Sequence, residues 1–253
     1  MSMATVDEGA LRVDTKQMRV DLAASFRLVE MLDLHEAVAN HFSLALPGDG
    51  SRFLINPKWR HFGRLRASDL LEVDFNDKSA MERPDAPDLT AWCLHGALHA
   101  HLPRARCIMH AHPPYTTAIA CLADPDIKPV DQNTARFFNR VAIDRGYEGM
   151  ASSLEEGVRL AKVMGNRGIL LMGNHGVVVT GQTVAEAFDM LYYLERSCRT
   201  LVLAYSTGQP LKLLSPAAAE VTAREWEVFG DAAEAHFREL QLTLSELQPN
   251  YGD

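Results

Sequence analysis

The 253-residue chain is poor in the features that mark several large protein classes. It has four cysteines, Cys93, Cys107, Cys121 and Cys198, and no two of them form a C-x-x-C pair. That argues against a thiol redox motif and a paired-cysteine zinc knuckle. Each lies in an apolar segment, so all four are expected to be buried, reduced thiols. No stretch approaches the roughly 20 consecutive apolar residues a membrane-spanning helix needs. The first residues, MSMATVDEGALRVD, are polar and acidic and lack the basic start and apolar run of a secretory leader, so a cytoplasmic location is expected. Basic residues are in deficit: 25 Lys and Arg against 33 Asp and Glu leave a formal charge of −8, which offers no basic footprint for nucleic acid. Low-complexity tracts and internal repeats are absent too. The composition, 47% hydrophobic and 23% charged, is that of an ordinary folded domain.

The periodicities predict an α/β chain. A loose arm is expected over 1–15, a single domain over 16–210 and a helical extension over 211–253. Helices are predicted from about Lys16 to Leu32, Leu34 to Ala39, Thr90 to His101, Tyr115 to Leu122, Ser152 to Met164, Val184 to Thr207 and Pro216 to Leu247. Strands are predicted at Phe42–Leu46, Arg52–Ile55, Leu70–Val73, Cys107–Ala111, Gly168–Met172 and Val177–Thr180. The aromatic residues Trp226, Phe229 and Phe237 of the extension suggest docking on another subunit.

Ten histidines stand out. His110 and His112 are two apart at the end of a strand that Pro113-Pro114 terminates, so their imidazoles share one face. His175 sits in the turn Gly173-Asn174-His175-Gly176 between two apolar strands, where the glycines suit a tight backbone. Three imidazoles at strand ends match a divalent metal site with an open position. His95 and His99 fall on one helical face and also suit a metal in principle. With no third ligand placed beside them, they and His101 read as packing residues.

The runs IMHAHPPYTTAIA (108–120) and GILLMGNHGVVVTGQTVAEAFDMLYYLERSC (168–198) resemble the class II aldolase/adducin family. So do HFSLAL (41–46), FLINP (53–57), ASDLLEVD (67–74) and VDQNTARFFNRVAI (130–143). The resemblance spans about 18–207. It implies a three-layer α/β/α sandwich with a central, mostly antiparallel sheet, and metal ligation by His110, His112 and His175. It further implies one divalent ion, zinc foremost with manganese, cobalt or iron as other options, and a homotetramer acting on a small molecule; from the charge and the lack of long apolar runs, no nucleic-acid or membrane partner is expected.

The sequence departs from the family's sugar-phosphate aldolases where they carry a catalytic glutamate: Leu89-Thr90-Ala91 stands there. Lys58-Trp59 replaces the phosphate-binding Thr-Gly pair, and His41-Phe42-Ser43 replaces an Asn-Val-Ser segment. Aldol chemistry needs a placed base. Loss of carbon dioxide from an acid next to a chelated hydroxyl or keto oxygen needs only an electron sink and a later proton donor. The sequence is therefore similar to the family's decarboxylases of hydroxylated aromatic acids, with dihydroxyphthalate- or hydroxypyridine-dicarboxylate-like substrates or keto acids expected. His41 and Tyr192 are the candidate catalytic helpers, and Lys58, Arg60 and His61 the candidate carboxylate binders. An aldolase-type lyase with another base such as His41 or Asp88, a non-heme iron oxygenase and a non-catalytic adducin-like module are the alternatives.

Overall fold

The computed structural model describes residues 15–147, 149–229 and 231–253. The predicted arm thus lies almost wholly outside the described residues. Seven strands form one sheet in the order β3-β2-β1-β4-β7-β6-β5. They are β1 (His41–Ala45), β2 (Arg52–Ile55), β3 (Leu71–Asp74), β4 (Cys107–Ala111), β5 (Val141–Asp144), β6 (Ile169–Met172) and β7 (Gly176–Gly181). Every pairing is antiparallel except β5 with β6.

Alternation along the strands divides the core between two faces. Phe42, Leu44, Leu54, Cys107, Met109, Val177 and Val179 point into the larger cluster, with α1 (Thr15–Met31) and α6 (Val184–Ser206). Phe53, Ile55, Ile108, Leu170 and Val178 point the other way, towards α2 (Leu89–His101) and α5 (Leu154–Met164). The result is the three-layer α/β/α sandwich expected. Side-chain caps start the helices: Asp88 for α2, Ser153 for α5 and Thr183 for α6, each accepting from a first-turn N–H. Such a cap is worth about 1 kcal/mol. The helices α2 and α5 meet backbone to backbone, because a Cβ at Gly157 would stand 2.4 Å from the Cys93 carbonyl oxygen.

Several expectations are corrected. Leu34–Ala39 is a run of turns, not a helix, with Asp33 and Ala37 in the left-handed region (φ 56° and 46°). The last predicted helix is two, α7 (Pro216–Glu227) and α8 (Ala232–Leu247). Between β4 and β5 come two short helices, α3 (Pro114–Ala120) and α4 (Gln132–Ala135). The pattern reading gave neither α4 nor β5. Cys121 is exposed, whereas Cys93, Cys107 and Cys198 are buried. Phe237 does not await a partner: it is buried within the chain, packed at 5.4 Å against Phe188 of α6. Trp226 stacks at 4.9 Å on the Arg136 guanidinium, while Val228 and Phe229 beside it are exposed, as are Val221, Leu242 and Leu247. No helix among the described residues is long and apolar enough to cross a membrane.

On the α2 side the core contains two fully enclosed imidazoles. Burial holds His99 down to about 4 and His95 well below the ordinary histidine range. Both are neutral in the folded chain and titrate near pH 6.5 when it unfolds. The unfolded state therefore binds more protons below pH 6.5. The stability from these groups is fully present above that pH and is lost as the pH falls towards 4. Thermal unfolding followed from pH 7 to pH 4.5 should show a falling midpoint. His99→Gln, which removes one such group, should flatten the decline.

Candidate metal centre

Three neighbouring strand ends converge on one spot. The antiparallel order β1-β4-β7 brings together the first residue of β1, the last turn of β4 and the turn leading into β7. His41 of β1 pairs across the ladder with His110 of β4. His112 follows β4 directly, and His175 precedes β7. One nitrogen from each of His110, His112 and His175 lies within 4.8 Å of the others. Ring centroids are 4.9 Å apart for His110 with His112 and with His175, and 4.8 Å for His112 with His175.

Partners on the far nitrogens set the orientation. Nδ1 of His110 donates to the Val177 carbonyl at 3.0 Å, and Nδ1 of His112 faces the Glu36 carboxylate. The two Nε2 atoms face one another 3.1 Å apart, and in neutral rings both would carry lone pairs. Two lone pairs at that distance repel unless a cation lies between them. A metal with bonds of about 2.0–2.1 Å to imidazole nitrogen spaces neighbouring ligands about 3 Å apart. The donor set fits a divalent ion. Burial and the adjacent imidazoles push His110 well below its usual range, and burial brings His175 down to about 4. His110 and His175 are thereby neutral at pH 7, the form that binds metal.

The turn is built by close approach. Positive φ falls on Asn174 (55°) rather than on the glycines, correcting the reason given for Gly173 and Gly176. A Cβ at Gly176 would meet the His112 ring carbon Cδ2 at 2.5 Å and the Ala111 carbonyl oxygen at 2.7 Å. Gly176→Ala should displace His112 and weaken metal binding at least about 10-fold, the scale on which ligand misorientation acts. Competition with a chelator would measure it, and unchanged affinity would refute the packing argument.

His41 is the fourth imidazole of the group, with its ring centroid 4.8 Å from that of His110. Its Nδ1 is 2.8 Å from Nε2 of His95, and burial lowers it to about 3. Lys58, Arg60 and His61 line one open cavity of about 420 Å³ with Val38, Trp59, Arg64 and Asp85. The 33–40 turn run borders both places, through Glu36 at His112 and Val38 at this cavity. Of its lining residues, Arg60 is 3.8 Å from Asp69, and His61 Nε2 is 3.3 Å from His35 Nε2. Tyr192 is set elsewhere, against Phe188, Tyr193 and His236 where α6 meets α8, and its ring contacts include none of the three histidines. The tyrosine ring that faces the cluster is Tyr147, 6.3 Å from His175. Pattern reasoning missed Tyr147 and Glu36, since both follow turns and neither stands in a chemical motif. Ala91 is buried beside Phe53, Ile55, Leu71 and Trp92. The Asp88 carboxylate is engaged as the α2 cap, accepting from Thr90 N at 2.8 Å and from its hydroxyl.

The architecture is a mostly antiparallel sheet between two helical layers, with an imidazole triad at its strand ends. The chain belongs to the class II aldolase and adducin N-terminal domain family, whose model matches residues 20–202. It is 34% identical over 209 residues to a Caulobacter vibrioides protein of the aldolase class 2 type, covering 83% of this chain and 80% of that one. Human beta-adducin is 29% identical over 207 residues, 81% of this chain but 28% of the adducin. The decarboxylase NovR of Streptomyces niveus is 25% identical over 176 residues, 69% of this chain and 64% of NovR. The crystal structure of an aldolase II superfamily protein from Pseudomonas syringae superposes with a TM-score of 0.87 at 27% identity, over 96% of this chain and 98% of that one.

Proposed function

We propose that the protein is a divalent-metal-dependent carbon–carbon lyase that decarboxylates a small hydroxylated aromatic acid or keto acid. The observation that carries the reading is the convergence of the His110 and His112 Nε2 atoms, 3.1 Å apart, with His175 beside them. An interaction module has no physical need for such an arrangement. The likeness to a decarboxylase supports the choice of chemistry, and so does the buried, apolar setting of Ala91. A carboxylate base is missing there, and Asp88 is occupied as a cap.

His110, His112 and His175 would hold the ion, zinc foremost, which when bound supplies a Lewis acid for a substrate oxygen. The chain's own groups do the rest. Lys58 and Arg60 bind a carboxylate of the substrate, and His61 borders the same cavity. His41 exchanges a proton with the substrate oxygen. Tyr147 replaces Tyr192 as the tyrosine that borders the site, because its ring faces His175. We further propose a cytoplasmic homotetramer, with Val228 and Phe229 at a subunit contact. A second reading, aldol-type cleavage with His41 as base, is favoured by the place of that imidazole beside His110.

The test is to incubate zinc- or manganese-loaded protein with dihydroxyphthalates, hydroxypyridine dicarboxylates, β-keto acids and sugar phosphates. Carbon dioxide release from a hydroxy-aromatic or keto acid is expected. Turnover confined to aldol cleavage of sugar phosphates would reject decarboxylation in favour of the second reading.

A further inference from the structure

Alternation turns His41 and Ser43 of β1 away from the Phe42–Leu44 face and towards α2. The i, i+4 spacing of His95 and His99 sets their rings in a file facing those two residues. Nδ1 of His99 is 2.8 Å from the Ala105 carbonyl oxygen, and its Nε2 is 2.7 Å from the Ser43 hydroxyl. That hydroxyl is 2.5 Å from Nδ1 of His95, whose Nε2 is 2.8 Å from Nδ1 of His41. All four side chains are buried.

One atom in this file has a fixed role: a carbonyl oxygen only accepts. His99 therefore carries its proton on Nδ1. Its imidazole is neutral, so Nε2 accepts, and the single hydroxyl proton of Ser43 goes to it. Ser43 must then receive a hydrogen bond from Nδ1–H of His95. Nε2 of His95 is left as an acceptor, and only Nδ1–H of His41 can satisfy it. The reverse order would set a nitrogen lone pair of His99 against the carbonyl oxygen. Direction thus propagates from Ala105 to the metal centre.

We propose that Ser43, His95 and His99 are positioning residues that lock His41 in its Nδ1–H tautomer, so that an unprotonated Nε2 faces the site as the acceptor for the substrate's hydroxyl proton. The proposal rests on the lyase reading and supplies the base that Ala91 cannot. The substrate O–H bond breaks, its electron pair stays on oxygen, and the proton forms an N–H bond at Nε2. When the bond to the carboxylate breaks, its pair passes to the carbon left behind and carbon dioxide departs. That carbon takes the proton from Nε2. His41 is neutral again, and the product leaves as the hydroxyl-deprotonated anion.

The experiment is ring-nitrogen NMR on the full, zinc-loaded chain with 15N-labelled histidine. His41, His95 and His99 should each show the proton on Nδ1 and a pyridine-like Nε2. Ser43→Ala cuts the file, so the His41 proton should move to Nε2. The kcat should fall by about 10²-fold, the scale of a misplaced proton carrier, while zinc content and KM stay unchanged. Ser43→Thr keeps the hydroxyl and should restore tautomer and rate together. A proton on Nε2 of His41 in the unaltered protein overturns the proposal, whatever the variants do. So does a Ser43→Ala protein that is slowed yet retains Nδ1–H on His41. The expected tautomers in a protein that turns over no acid in the panel would overturn the acceptor role with the lyase reading, and leave the tautomer lock standing.

Discussion

Replacing His175 with alanine is expected to release the bound ion and to lower turnover by about 10³-fold or more, with the fold unchanged. The triad offers one nitrogen from each of three residues, so removing His175 leaves two ligands. A Lewis acid contributes several kcal/mol to stabilising charge at oxygen in the transition state, and that contribution goes with the ion. The side chain is only partly buried and sits in a turn rather than in a strand. Its loss should therefore cost little of the core. Elemental analysis after gel filtration, paired with a thermal melt of metal-free protein, separates the two effects. Retention of one ion per chain by His175→Ala would remove His175 from the ligand set. A collapse of the metal-free melt would mean that the residue holds the fold instead.

His41→Gln is expected to do the opposite on metal and the same on rate. The ion stays, because His41 lies outside the triad of mutually close nitrogens. Turnover should fall by roughly 10²–10⁴-fold, the usual contribution of a placed general acid or base. Glutamine keeps an N–H for Nε2 of His95, so the buried partner is not stranded and the stability loss should remain near 1 kcal/mol. Stoichiometric zinc together with a collapsed kcat would establish that ligation and proton transfer are carried by different histidines. Full activity in this variant would end His41's candidacy and leave Tyr147 as the nearer proton carrier.

Most of the sheet was legible because its strands alternate or run continuously apolar, and the H-x-H pair was legible because its period of two is a local property. What escaped is long-range or locally irregular. The short strand β5 is half-buried through Val141–Ile143 and gives little of the continuous apolar signal of β6 and β7. Glu36 sits in a stretch whose apolar spacing imitates a helix, yet it takes positive φ at Ala37 and turns its carboxylate to a residue 76 positions on. His95 and His99 carried the right spacing on α2. Their partners lie more than 50 positions upstream on β1, and the packing of α2 on that strand brings the two together. Tyr192 and Tyr147 illustrate the same limit. Tyr192 is adjacent to a motif in sequence, whereas the fold brings Tyr147 to His175.

The groups that would bind metal and move protons are anchored on sheet ends and on α2. Lys58, Arg60 and His61 occupy an irregular stretch just beyond β2, with Trp59 held at φ 61°. On the proposed roles, chemistry and recognition are encoded in separable stretches of chain. A loop exchange over 57–61 would swap the charges offered to the acid while leaving the histidine file and the imidazole triad untouched. One scaffold could in this way be re-addressed from one acid to another by changing five consecutive codons.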